Sequence, residues 1–78
     1  MSNTFDKTLD CRGLNCPLPV VKTNLQMKTM EEGDVLKVES TDPGSLNDIG
    51  AWARQTGNDL LGSEETDGVF VFYIKKVA

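Results

Sequence analysis

A cysteine followed by a proline-rich turn is the feature of this chain best suited to covalent chemistry. Cys16 stands in the run Cys16-Pro17-Leu18-Pro19-Val20-Val21, just after a turn that contains Gly13. Proline is favoured in the first turn of a helix, so the run predicts a helix that opens at Pro17 with Cys16 as its N-cap. Free backbone N–H groups and the positive end of the helix dipole favour a thiolate at that position. The sequence therefore predicts an activated sulfur nucleophile at Cys16.

The number and spacing of the cysteines, together with the lack of histidine, exclude several kinds of site. The chain has two cysteines, Cys11 and Cys16, and no histidine. Two cysteines do not complete a structural zinc site, and a Cys–His catalytic pair is excluded outright. The Cys-x4-Cys spacing differs from the Cys-x-x-Cys of thioredoxin-like motifs, and a structural disulfide is not expected in a reducing cytosol. We predict that the protein holds neither a metal nor a cofactor.

Each thiol also has a plainer interpretation. A buried, inert side chain is a common fate of a free cysteine, and this is the alternative for Cys16. Cys11 shares strand parity with Leu9, so it either fills space under the first helix or acts as a second thiol that releases sulfur or bonds to Cys16. Because parity turns Cys11 toward the core and Cys16 toward solvent, we expect no bond between the two sulfurs in the resting protein.

Length and composition limit what the chain does. At 78 residues, the sequence predicts one domain, 1–78, with a small core and a compact surface site. The formal net charge of −4 argues against direct nucleic-acid binding and suits a basic protein partner. No apolar run is long enough to cross a membrane, and the N-terminus lacks a secretion signal. We expect a cytoplasmic monomer that does not contact the membrane.

Hydrophobic periodicity and turn residues predict the element order β-α-β-α-β-β. The expected strands cover residues 4–11, 35–40, 58–65 and 69–76, and the expected helices cover residues 17–30 and 43–56. The first strand is expected at an edge, and the last is apolar on both faces and therefore central. Crossover helices join parallel strands, whereas Thr66-Asp67-Gly68 is a hairpin turn. These rules predict a mixed four-stranded sheet with both helices on one face.

Helical spacing also predicts which side chains face the sheet. The first helix is expected to run to about Met30 with Gly33 as its stop signal, and the second to begin with Asp42 as its N-cap. The predicted inner stripes are Leu18, Val21 and Leu25 in the first helix and Leu46, Ile49 and Ala53 in the second. Trp52 and Phe70 are expected in the core.

The predicted topology brings the starts of both helices to one edge of the sheet. Cys16 should then lie near the Ser40-Thr41-Asp42-Pro43 turn, in the position where open α/β sheets usually bind ligands. Arg12, in the loop before Cys16, either adds positive charge beside the sulfur or is a solvated loop charge. A second role for Asp42, beyond capping, is contact with a partner.

The segment around Cys16 closely resembles the signature of the TusA/SirA-like sulfur carrier family, which has an Asp, a Gly-Leu and a Cys-Pro-x-Pro at this spacing. The resemblance extends over nearly the whole chain, through Met30-Glu31-Glu32-Gly33-Asp34, Asp42-Pro43-Gly44-Ser45 and Thr56-Gly57-Asn58-Asp59-Leu60. The signature itself reads Leu9-Asp10-Cys11-Arg12-Gly13-Leu14-Asn15-Cys16-Pro17-Leu18-Pro19. Many members of the family have alanine where this chain has Cys11.

The resemblance implies an α+β two-layer sandwich and a sulfur carrier that holds sulfane sulfur as a persulfide. Matched position by position, Cys16 takes the carrier role. The supporting positions of the motif fall on Asp10, Gly13, Pro17, Pro19 and Asp42. The implied sulfur donors are cysteine desulfurases and rhodanese-like proteins. The implied acceptors are carriers that feed tRNA thiolation, molybdenum cofactor synthesis or sulfur oxidation.

Three hypotheses about function follow. In the first, the chain is a covalent carrier of the sulfurtransferase type rather than a stand-alone turnover enzyme. In the second, it is a dithiol redox protein that cycles between Cys11 and Cys16. In the third, it is a non-catalytic regulatory module that binds a partner. A sulfane donor separates the three, because a carrier gains one sulfur atom, a redox protein loses two hydrogens and a binding module does neither.

Overall fold

The computed structural model describes residues 5–15 and 17–77, and its elements follow the predicted order. They are β1 (Lys7–Cys11), α1 (Leu18–Lys28), β2 (Val35–Ser40), α2 (Ser45–Thr56), β3 (Asp59–Thr66) and β4 (Val69–Lys75). The strands form one four-stranded sheet in the order β1-β2-β4-β3. β1 runs parallel to β2, and β4 is antiparallel to both β2 and β3. The predicted mixed sheet, with an edge position for β1 and an internal one for β4, is confirmed.

Alternation and turn chemistry explain the strands. In β2, Leu36 and Val38 are buried while Lys37 and Glu39 between them are partly exposed, as a period of two requires. β4 is buried from Phe70 through Ile74, and strands pair with both of its edges. Phe70, Phe72 and Ile74 join the core beneath the helices, whereas Tyr73 alternates to the other face, where its ring lies 6.3 Å from that of Phe5. Asp67 and Gly68 both have positive φ, 51° and 80°, which is the backbone of a type I′ turn and makes the predicted β3–β4 hairpin.

Both helices pack on one face of the sheet, and the core lies between the two layers. Residues from α1, α2 and three of the strands join one buried apolar cluster: Cys11, Met27, Met30, Leu36, Val38, Ile49, Trp52, Ala53, Phe70, Phe72 and Ile74. Trp52 and Phe70 are in this core, as predicted. Neither helix in the described ranges is long and apolar enough to span a membrane.

The predicted inner face of α1 is wrong. Leu18, Val21 and Leu25 are between 45% and 57% exposed, and the side chains that α1 buries are Pro19, Thr23 and Met27. Thr23 is tolerated in the core because its hydroxyl donates to the Pro19 carbonyl oxygen at 2.7 Å, which leaves no buried polar group unpaired. α1 is apolar on more than one side, so its hydrophobic pattern alone does not select the buried face.

The predicted stop signal of α1 is also wrong. The helix stops at Lys28 with Thr29 as its C-cap, and Gly33 lies in the loop beyond it. The ammonium group of Lys76 donates to the carbonyl oxygens of Met27 and Met30, each at 2.7 Å. A cation at a helix C-terminus satisfies carbonyl groups that have no intrahelical partner, so α1 ends there without a glycine.

The start of α2 differs from the prediction as well. Gly44 is the N-cap and Ser45 the first helical residue, so Asp42 is not the cap. The carbonyl oxygen of Asp42 accepts the Ser45 N–H at 3.0 Å, and its carboxylate accepts the Gly44 N–H at 3.2 Å. Asp42 and Pro43 therefore form a turn ahead of the helix. Ile49 and Ala53 are buried as predicted, whereas Leu46 is exposed.

Candidate functional site

The loop between β1 and α1 carries the residues that lead to Cys16. Gly13 has a φ of +81°, a conformation that other residues adopt only with strain. The Leu14 N–H donates to the Cys11 carbonyl oxygen at 3.2 Å, and the Leu18 N–H donates to the Asn15 carbonyl oxygen at 2.9 Å. The first bond closes a tight turn over residues 11–14, and the second joins the end of the loop to the start of α1. Cys16 itself lies outside the described residues, and its neighbours Asn15 and Pro17 are both exposed.

The predicted N-cap role of Cys16 is wrong, because the helix starts later than expected. Pro17 is the N-cap of α1, and the first helical hydrogen bond runs from the Val21 N–H to the Pro17 carbonyl oxygen at 3.0 Å. Pro19 occupies the second helical position, where a missing N–H costs no hydrogen bond. Cys16 therefore precedes the cap by one position in the chain.

The loop before Cys16 is joined to the turn after β2. The Gly13 N–H donates to Oγ1 of Thr41 at 2.9 Å, across 28 positions of sequence. The parallel pairing of β1 with β2 ends at Cys11 opposite Ser40, which brings the two loops to one edge of the sheet. The prediction that Cys16 lies near the Ser40–Pro43 turn falls outside the described residues; Gly13, three positions earlier in the chain, contacts this turn.

Asp10 and Arg12 form a two-pronged ion pair at the start of this loop. Oδ1 of Asp10 accepts from Nε of Arg12 at 3.0 Å and from its backbone N–H at 3.0 Å, while Oδ2 accepts from Nη2 at 3.1 Å. The hydrogen bonds from Arg12 lower the pKa of Asp10 from 3.8 to about 2, and the carboxylate in turn raises the pKa of Arg12. The positive charge of Arg12 is therefore compensated by Asp10.

We expect Arg12→Gln to return the pKa of Asp10 toward the ordinary range of about 3.9, because the main group that stabilises its charged form is removed. Because the folded-state pKa is lowered, the contribution of the pair to stability is present above about pH 4 and is lost between there and about pH 2. Titration of the Asp10 carboxyl carbon by NMR measures the shift. Arg54→Gln, the same change on α2, is the control. An unchanged Asp10 midpoint in Arg12→Gln would contradict the pairing.

Cys11 lies in the core. Its side chain is fully buried at the end of β1, with the sulfur a free thiol. Burial raises its pKa, an effect that the positive charge of Lys22 opposes and the carboxylate of Asp10 reinforces. The predicted orientation of Cys11 toward the core is confirmed. A buried thiol with a raised pKa is a weak nucleophile, so this arrangement suits packing better than sulfur exchange.

An exposed apolar surface extends from Pro17 along α1. Three side chains that the sequence predicts to face the sheet are exposed instead. We call them the outer stripe of α1: Leu18, Val21 and Leu25. Lys22 and Lys28 lie on the same helix, which has no acidic residue, although the whole chain has a net charge of −4. A groove of about 260 Å³ between the helices also begins at Pro17, and it is lined by Pro17, Val20, Asp48, Ala51, Trp52 and Gln55.

Thr41 is the site residue that sequence reasoning missed. The Ser40–Pro43 turn was expected near the loop, but nothing in the sequence says that the threonine hydroxyl would reach Gly13. The one signal in the sequence is that a residue with a hydroxyl side chain directly follows a strand expected to be parallel to its neighbour. Within residues 5–15 and 17–77, no group of three cysteine, aspartate or glutamate side chains is arranged to hold a metal ion.

Comparison with known proteins identifies the family. The family model described as sulfurtransferase TusA matches residues 7–76. The chain belongs to the TusA family. It is 51% identical over 72 residues to the sulfur carrier protein TusA of Allochromatium vinosum, covering 92% of this chain and 95% of that protein. It is 41% identical over 73 residues to the sulfur carrier protein TusA of Pseudomonas entomophila, covering 94% and 91%.

Two further similar proteins give information on the length of relatives and on the fold. A relative from Aquifex aeolicus is 59% identical over 73 residues, which cover 94% of this TusA-family chain and only 37% of the Aquifex protein. The crystal structure of a SirA-like protein from Desulfitobacterium hafniense superposes with a TM-score of 0.82 at 25% identity, covering 94% of this chain and 100% of that one. The two-layer fold expected from the resemblance is confirmed.

Proposed function

We propose that this TusA-family protein is a sulfur carrier that accepts sulfane sulfur as a persulfide on Cys16 and delivers it to a partner protein. The supporting observation is the contrast between the two thiols. Cys11 is fully buried with a raised pKa, whereas the residues on both sides of Cys16 are exposed at the start of α1. A nucleophilic sulfur has to be reachable and ionised, so Cys16 is the better carrier.

The carrier reaction needs no oxidant and no cofactor. The Cys16 thiolate attacks the outer sulfur of a donor persulfide, so the S–S bond of the donor breaks as a new S–S bond forms on Cys16. The electron pair of the broken bond leaves on the donor cysteine as its thiolate. The transferred sulfur keeps its proton or loses it to water. Delivery repeats the same displacement, with an acceptor thiolate attacking the outer sulfur on Cys16.

The outer stripe of α1 suits a protein partner. The stripe begins at Leu18, which directly follows Pro17 in the chain. A partner that binds at Cys16 therefore also contacts Leu18 and Val21. Lys22 and Lys28 make the helix locally positive, which favours a partner with an apolar patch beside carboxylates.

The expected donors are a cysteine desulfurase or a rhodanese-like protein, and the expected acceptor is another carrier or enzyme of tRNA thiolation, molybdenum cofactor synthesis or sulfur oxidation. A small carrier works by brief docking, so we propose a monomer that forms transient complexes. The cytoplasm suits it, because thiols stay reduced there.

Mass spectrometry after incubation with thiosulfate and a rhodanese, or with cysteine and a cysteine desulfurase, tests the proposal. We expect the intact protein to gain the mass of one sulfur atom and to lose that gain on treatment with a reducing thiol. A loss of two hydrogens would instead indicate a Cys11–Cys16 redox protein. An unchanged mass with either donor would contradict the carrier function and would favour the hypothesis of a non-catalytic binding module.

A further inference from the structure

Thr41 connects the turn after β2 to the loop between β1 and α1. It follows the last residue of β2, and its Oγ1 accepts the Gly13 N–H at 2.9 Å. Gly13 is in the loop that leads directly to Cys16, and its left-handed backbone forms part of the turn geometry there. Both residues are exposed. The hydrogen bond therefore ties the Cys16 loop to a separate element at the surface of the protein.

Side-chain hydrogen bonds stabilise the turn that carries Thr41. The Asp42 N–H donates to Oγ of Ser40 at 3.2 Å, and the Ser45 hydroxyl donates to the carbonyl oxygen of Asp42. Ser40 and Ser45 are both buried. Side-chain hydrogen bonds inside the protein thus hold the backbone on either side of Thr41. The Thr41 hydroxyl therefore projects from a turn whose flanking backbone is hydrogen-bonded to buried serine side chains.

Two other hydrogen-bonded contacts of the described loop residues are local. Asp10 binds Arg12, two positions away, and the Leu14 N–H binds the Cys11 carbonyl oxygen within the same turn. Leu14 also packs against the core, which holds the loop down on the sheet. Neither local turn sets the position of the loop along the sheet edge relative to α2. Among the contacts of the described residues, the hydrogen bond from Gly13 to the Thr41 hydroxyl supplies such a restraint.

We propose that Thr41 is a positioning residue for sulfur transfer, which fixes the Cys16 loop so that a partner finds the sulfur already in place. The inference rests on the proposed carrier function. Displacement at sulfur requires the attacking and leaving sulfurs to line up, and a small misplacement of the reacting atoms slows such a step severely. A loop that is ordered beforehand also avoids the entropy cost of being ordered during docking.

The test compares Thr41→Val, which keeps the shape but removes the acceptor oxygen, with Thr41→Ser, which keeps the oxygen. We expect loading of Cys16 by a desulfurase persulfide to slow on the order of 10-fold in Thr41→Val and to recover in Thr41→Ser. Alkylation of Cys16 by iodoacetamide should change less than about twofold, because a small reagent needs no docked geometry. Faster hydrogen exchange at the Gly13 amide in Thr41→Val would show that the tether is lost.

Thr8→Val, the same change at an exposed position in β1, is the matched control and should load at the wild-type rate. Thermal unfolding of every variant establishes that each is folded. Equal loading rates for Thr41→Val and the wild type would overturn the positioning role, as would equal slowing in Thr41→Val and Thr41→Ser. Failure of the wild type to load at all would instead overturn the carrier function, and the positioning role with it.

Discussion

Loading of sulfane sulfur is expected to disappear altogether in a Cys16→Ser variant. A serine hydroxyl is not ionised near neutral pH and forms no persulfide, so the displacement at sulfur has no nucleophile. Cys11 does not substitute for it, because its thiol is fully buried and its pKa is raised. The measurement is the intact mass after incubation with a desulfurase and cysteine. Any sulfur retained by folded Cys16→Ser would contradict the assignment of Cys16.

Cys11→Ala is the matched control, since it removes the other thiol without placing an unpaired hydroxyl in the core. We expect it to load as the wild type does. The lifetime of the persulfide then distinguishes the two roles left open for Cys11. Equal lifetimes in the wild type and in Cys11→Ala would favour packing. A much longer lifetime in Cys11→Ala would show that Cys11 discharges the sulfur and that the loop opens to let it do so.

Phe72→Ala is expected to cause the largest loss of stability. Phe72 is fully buried in β4 between β2 and β3, opposite Val38 and Ser63. Truncating such a phenylalanine costs about 3–5 kcal/mol in the free energy of unfolding. The total free energy of unfolding of a domain of this size is roughly 4–12 kcal/mol. Phe72→Ala would therefore unfold much of the protein population.

Urea unfolding followed by Trp52 fluorescence measures the effect of Phe72→Ala. Phe5→Ala is the matched control, because Phe5 is about half exposed and its ring rests on the outside of the sheet, 6.3 Å from the ring of Tyr73. Exposed contacts of this kind contribute on the order of 1 kcal/mol. Similar losses in the two variants would contradict the central place given to Phe72 in the core.

The sheet was predictable because its signals are local. The alternation of β2, the Asp67-Gly68 turn and the apolar run of β4 each specify one element by its own residues, and right-handed crossovers then determine the face on which the helices lie. The α1 face was not predictable in this way. Whether Leu25 or Thr23 turns inward depends on the sheet beneath and on the Thr23–Pro19 hydrogen bond, which compensates a buried hydroxyl.

The site was predictable as a sequence motif but not as a set of contacts. The residue types around Cys16 indicate a nucleophile, and the resemblance to the family signature adds supporting roles for Asp10 and Gly13. The ion pair of Asp10 with Arg12 is also local, yet neither role expected for Arg12, a charge beside the sulfur or a solvated loop charge, included Asp10 as its partner. The Thr41 contact joins positions 28 residues apart, so only the folded sheet brings its two partners together.

The position of β4 in the sheet has a consequence for how the protein is made. Of the four strands of this sheet, β4 is synthesised last, and it separates β2 from β3. Until β4 emerges, β2 can pair only with β1, and one of its edges stays open to other chains. The sheet therefore closes only after Val69–Lys75 has been synthesised. A nascent chain held short of this strand is a candidate client for a chaperone that shields unpaired strand edges.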